Sequence, residues 1–196
     1  MSAQWRRWET APRFMPLLGA LIGALGGAVY WLGAQIWPTS IAVVLSMLAT
    51  ALLPAARPHN PPGADIRVVG FVFAVLVKYN ALMALSAANL PFALPANLAL
   101  GLIMIAGHAA SRALVVSSAP VSHGDLGIAL AIGFAPAVLL GLPGLIGLVA
   151  AIAERFAFIA YARRNRAPVS PAVLDMTRQL TEVCFYLGAL ATWAYV

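Results

Sequence analysis

The chain is 196 residues long, 62% hydrophobic and only 9% charged, with a mean hydropathy of +0.90. Soluble domains carry about 25% charged residues, so this composition excludes a soluble globular fold and predicts an all-α, polytopic integral membrane protein. The net charge of +6 is spread between apolar runs rather than gathered in a stripe, which argues against nucleic acid as a partner and for membrane lipid as the surroundings.

A transmembrane helix takes about 20 apolar residues. Residues 1–196 therefore accommodate about seven spans with short loops, read as a single membrane domain. Arg6 and Arg7 precede an apolar run over residues 14–36. That run is too long for a signal-peptide core and leads into no small-residue cleavage pattern, so it reads as the first retained span. Gly19, Gly23 and Gly27 recur in it at intervals of four, a spacing that lets another helix approach closely. A turn at Trp37 and Pro38 leads to a second span over residues 40–53. Residues 54–67, PAARPHNPPGADIR, are the longest polar, proline-dense interruption. The third span, residues 68–85, carries Lys78 and Asn80. The fourth, residues 98–118, carries His108 and Arg112, four apart and so on one helix face. Residues 120–127 read as a polar loop with His123 and Asp125. Two apolar runs, 128–142 and 145–161, hinge at Pro143-Gly144, and a last helix covers 172–196. If the two runs around Pro143 form a re-entrant pair, the number of spans falls to six.

Lys and Arg are retained on the cytoplasmic side of a membrane. With seven spans, Arg6, Arg7 and Arg13, then Arg57 and Arg67, then Arg163, Arg164 and Arg166 all fall on one side. The turns around Pro38, Pro91 and Pro143 carry no charge. This asymmetry predicts a cytoplasmic N-terminus and a C-terminus on the far side.

A charge deep in the bilayer costs about 3 kcal/mol or more and marks a functional candidate. Glu154 and Arg155 lie near the cytoplasmic end of their run and read as snorkelling, locally paired side chains. Asp175 and Arg178 read as interfacial, and the single Cys184 as a small core residue. Lys78 and Asn80, His108 and Arg112, and Gln179 and Glu182 could instead line a polar pocket open to the cytoplasm, suited to an anionic ligand. Packing residues with one hydrogen bond are the competing reading for His108, and snorkelling for Lys78. The chain has no P-loop, no HExxH, no GxSxG and no Cys/His cluster, and its six acidic residues include no DxxD.

RFMPLLGALIGALGGAVYW followed by WPTSIAVVLSMLATALL, then GFVFAVLVKYNALMAL, GHAASRA and TRQLTEVCFYLG, resemble in order successive segments of the bacterial cobalamin synthase family, the adenosylcobinamide-GDP ribazoletransferases. The likeness matches a family lysine at Lys78, an AHxxSR segment at His108, Ser111 and Arg112, and a QLTEV helix at Gln179, Glu182 and Tyr186. It implies a multi-pass protein of the bacterial cytoplasmic membrane. Such proteins join a ribazole unit to adenosylcobinamide-GDP, a corrinoid nucleotide, release GMP and use Mg2+. The family's acidic loop, of the type HEDGxADxxDGxGG, would supply the carboxylates for that metal. Here His59 stands where the loop's histidine begins, but Asn60-Pro61-Pro62 follows. Asp65-Ile66-Arg67 resembles the DSRIG end of the family's segment, and the acidic stretch between is absent. The chain is also short after Ser118, and RAPVSP replaces a glycine-rich GGYTGD near Pro168.

The resemblance thus implies His59 and Asp65 as catalytic candidates in a shortened cytoplasmic loop over residues 54–67, with no metal-ligand set left. It implies Lys78, Asn80, His108, Arg112, Gln179 and Glu182 as substrate-binding. Two functions stay open: a ribazoletransferase, or a catalytically degenerate homologue serving as a corrinoid-binding membrane subunit, in a homo- or hetero-oligomer. A small transporter is a third, resting only on Lys78, His108 and Arg112.

A topology reporter fused after Val196 tests the span count. Seven spans predict activity from a reporter that works outside the cytoplasm, and a cytoplasmic signal there would rule the seven-span arrangement out.

Overall fold

The computed structural model describes residues 12–55, 64–87, 96–117, 121–164 and 171–193. After a short 3-10 turn, Pro12–Phe14, these residues form seven α-helices: α1 Met15–Gly33, α2 Thr39–Ala55, α3 Ala64–Ala87, α4 Ala96–Val116, α5 His123–Leu139, α6 Leu142–Arg164 and α7 Pro171–Trp193. No strand occurs among the described residues. α1, α3, α4 and α6 each contain a stretch long and apolar enough to cross a membrane. The fold is that of a helical membrane protein, as composition predicts.

Two boundaries differ from the sequence reading, each for a local reason. Residues 120–127 are not all loop, because α5 begins at His123. Ser122 caps it, accepting from the Asp125 amide at 3.1 Å and donating its hydroxyl proton to the Asp125 carboxylate at 2.9 Å. That arrangement satisfies an otherwise orphaned N-terminal donor. The hinge between the two apolar runs lies at Gly141 rather than Pro143-Gly144. Gly141 has φ +67°, the left-handed conformation that glycine adopts after a helix end. Pro143 falls in the first turn of α6, where its missing N–H would have had no intrahelical acceptor.

α4 is the centre of the bundle. Of its stretch Leu98–Val116, 83% is buried, against 39% or less for the stretches on α1, α3 and α6. It packs against α1, α5 and α7 above all. The glycines of α1 make the closest of these contacts workable. A Cβ at Gly23 would lie 2.6 Å from Ile105 Cα and from the Met104 carbonyl oxygen, and one at Gly27 2.8 Å from Gly101 Cα. At Gly19 a Cβ would run into the carbonyl oxygen of His108. The spacing of four therefore serves α4 of the same chain, bringing two backbones together as small residues do in lipid. Gly107 does the same for α7, since a Cβ there would lie 2.6 Å from the Tyr186 ring.

The outer surfaces are apolar. Leu17, Leu18, Leu21 and Leu25 on α1, and Phe71, Val72, Phe73 and Leu76 on α3, are exposed, which suits contact with lipid tails rather than water. Hydroxyls along the helices bond back to their own backbone: Ser46 donates to Val43 O, Ser86 to Met83 O, Ser117 to Leu114 O and Thr192 to Ala189 O. Each polar group is thereby satisfied without water.

Gly23→Ala should lower stability by about 2 kcal/mol, because backbone atoms of α4 cannot give way as a side-chain tip can. Gly127→Ala is the control: nothing lies within 4 Å of its Cβ position, so the helix-propensity gain of about 1 kcal/mol should dominate. Thermal unfolding in detergent separates the two, and equal midpoints would mean that α1 shifts freely on α4.

Candidate functional site

Helix periodicity brings the polar residues of three helices to one point. Lys78 lies midway along α3, His108 and Arg112 one turn apart on α4, and Glu182 and Tyr186 one turn apart on α7. Lys78, His108, Arg112 and Glu182 are each at most 7% exposed, and Tyr186 is fully buried.

A single carboxylate oxygen holds the centre. Glu182 Oε1 lies 2.6 Å from Lys78 Nζ and 3.2 Å from His108 Nε2. It also accepts the Tyr186 hydroxyl proton at 2.8 Å. The Lys78 ammonium sits 5.9 Å from the centre of the Tyr186 ring, a cation–π distance. His108 Nδ1 faces Arg112 Nη1 at 3.5 Å. A guanidinium only donates, so Nδ1 is the acceptor and the neutral ring carries its proton on Nε2, toward the carboxylate. The Nε2 contact is close but not aligned as a hydrogen bond. Among the described residues Arg112 makes only long contacts, to Nδ1 at 3.5 Å and to the His108 carbonyl at 3.4 Å.

Charge counting follows. Lys78 and Glu182 compensate one another at short range in a medium of low dielectric. With His108 neutral, Arg112 leaves the centre one positive charge in excess. Toward the start of α7, Arg178 adds a further cation, paired at 3.8 Å with an exposed Asp175. The centre is thus suited to an anionic ligand. Glu182, already engaged by two donors and close to His108, is an anchor for its neighbours rather than a free base.

The structure gathers Lys78, His108, Arg112 and Glu182 from the sequence candidates and leaves others apart. Asn80 is exposed and donates to Leu76 O on its own helix at 2.8 Å. Gln179 is half-buried on α7, three residues before Glu182. His59 lies outside the described residues, and Asp65 falls in the first turn of α3 with its side chain outside them. Tyr186 belongs to the centre although the sequence reading does not place it in the site; its signal was its position one turn beyond Glu182. Arg155 corrects an expectation. It neither snorkels nor pairs with Glu154, being 3% exposed, while the Glu154 carboxylate accepts the Thr181 hydroxyl at 2.6 Å.

A multi-helix membrane protein with a buried ion-paired centre reaching across α3, α4 and α7 is the class that fold and site define. The family model for cobalamin-5-phosphate synthase matches residues 2–56. The adenosylcobinamide-GDP ribazoletransferase of Ralstonia nicotianae is 28% identical over 227 positions, covering 93% of this chain and 84% of that protein. The ribazoletransferase of Shewanella amazonensis is 27% identical, covering 94% of this chain and 85% of its own length. That of Ralstonia pickettii is 32% identical over 133 positions, 55% of this chain and 48% of that protein. No solved structure matches. The chain is similar to cobalamin synthases along most of its length. The matched stretch in Ralstonia nicotianae, 227 positions, is longer than the whole of this chain at 196 residues, so that relative carries internal residues with no counterpart here.

Replacing Glu182 by Gln should destabilise the protein by about 3 kcal/mol, because Lys78 is left charged and buried without its partner. Lys78→Met in the same chain should recover much of that loss. The thermal midpoints of the two single variants and the double variant measure the coupling, and simple additivity would contradict the pairing.

Proposed function

We propose that the chain binds an anionic corrinoid nucleotide of the adenosylcobinamide-GDP type at the polar centre where α3, α4 and α7 meet, from the cytoplasmic side of the bacterial cytoplasmic membrane. The convergence of Lys78, His108 and Tyr186 on Glu182 carries this reading, because it leaves Arg112 under-paired among the described residues. The names of its relatives support the ligand class. In the corresponding reaction a ribazole hydroxyl attacks the phosphate bonded to the corrinoid side and GMP departs. Arg112 would meet the phosphate charge, and Lys78 and Tyr186, held by Glu182, would fix the geometry around it.

Mg2+ would supply electrostatic stabilisation of the diphosphate in that chemistry. The described residues do not fit it. No three His, Cys, Asp or Glu side chains among them come together as a metal site requires. Four of the chain's six acids already have partners: Glu182 with Lys78, Glu154 with Thr181, Asp125 with Ser122 and Asp175 with Arg178. This observation favours a second reading, a corrinoid-binding membrane subunit that does not catalyse transfer itself. The glycine face of α1 is filled by α4, so a partner chain would dock elsewhere.

Two measurements separate the readings. Isothermal titration with adenosylcobinamide-GDP, with and without Mg2+, should show binding that Arg112→Gln weakens at least ~10-fold, the loss of one charge-assisted contact. Complementation of a cobalamin synthase-deficient strain supplied with cobinamide and lower-ligand base then decides catalysis. Growth supports the transferase, and binding without growth supports the subunit. Absence of binding in the wild-type chain would sink both.

A further inference from the structure

Arg155 is a buried cation that the central cluster does not use. It continues the buried stripe of α6, Gly144, Gly147, Leu148 and Ala151, by one more turn, and is 3% exposed. None of its Nε, Nη1 and Nη2 atoms has a hydrogen-bond partner among the described residues. Its neighbour Glu154 attracts it electrostatically but makes no hydrogen bond to it, since successive residues diverge by about 100° around a helix and the Glu154 carboxylate accepts from Thr181. The Arg155 carbon Cζ lies over the Phe158 ring, 5.7 Å from its centre. That contact steadies the guanidinium from one side and uses none of its N–H groups.

Arginine keeps its charge in proteins, so its buried donors stand here without an acceptor among the described residues, a costly arrangement for a fold to retain. A guanidinium with all its donors unused suits a ligand with several charged oxygens better than a single carboxylate.

We propose that Arg155 anchors an oxyanion site on the buried face of α6 that takes a phosphate or diphosphate group and is separate from the Lys78–His108–Glu182 centre. The phosphate belongs either to a soluble molecule or to an anionic lipid headgroup. The proposal does not rest on the corrinoid reading, since it concerns phosphate binding alone.

The test uses the full chain in a non-ionic detergent. Its unfolding midpoint is followed against inorganic pyrophosphate, with acetate as the carboxylate control, and co-purified phospholipid is counted by native mass spectrometry. A ligand bound by the folded state alone raises the midpoint in a saturable way. Pyrophosphate should do so and acetate should not. Arg155→Gln should weaken the response at least ~10-fold. A phosphatidylglycerol held by the wild type and lost from Arg155→Gln, with no pyrophosphate response in either, would identify the headgroup as the source. Equal pyrophosphate responses and equal bound lipid in the two proteins would overturn the site. If Arg155→Gln does not fold, Arg155→Lys keeps the charge but loses the fork, and an unchanged titration and lipid content in that variant would overturn it equally.

Discussion

One carboxylate oxygen sets the terms for this structure. Lys78 stands in the middle of an apolar helix, and a charge there is tolerated only with a counter-charge at hand. Glu182 supplies it at 2.6 Å from α7, and the same oxygen takes Tyr186 and approaches His108 of α4. Three helices, of which only α3 and α4 are consecutive in the chain, are thus tied by a single side chain. The tie is electrostatic and short, so it also fixes the depth at which α3, α4 and α7 meet.

Packing supplies the other half of that precision. Without water, helices in lipid gain little from burying apolar surface against each other and depend on close contact instead. α4 is placed by small residues on its neighbours, Gly23 and Gly27 of α1, and by its own Gly107, which receives the Tyr186 ring. Tyr186 therefore belongs to both systems. Its ring fills the notch at Gly107, and its hydroxyl completes the shell of Glu182. A shift of α4 by a fraction of an ångström would disturb packing and ion pairing together.

Much of this was legible in the sequence. Apolar runs gave the helices to within a few residues, and the spacing of four between His108 and Arg112 placed them on one face. The glycine period predicted a close helix partner, although only three-dimensional packing identified α4 as that partner. What could not be read was pairing between distant residues. Nothing in the spacing of Lys78 and Glu182 announces that their side chains meet, because their helices are separated by three others along the chain. For the same reason Asn80, two residues from Lys78, looked equivalent to it, yet a helix turns about 200° in two steps and carries Asn80 to the outside. Arg155 misled in the opposite direction: its position near a helix end suggested an easy route to water, and the stripe it occupies turns inward.

The place of Glu182 on the last described helix bears on how the protein is made. Chains emerge from the N-terminal end, so α3 and α4 are synthesised, with Lys78, His108 and Arg112, before the acid that compensates them exists. Throughout that interval the cations must be held by water, lipid phosphate or the insertion machinery. Only the arrival of α7 allows them to leave it. The centre is thus a closing element in biogenesis: the nascent bundle carries uncompensated positive charge until α7 enters and seals the interior.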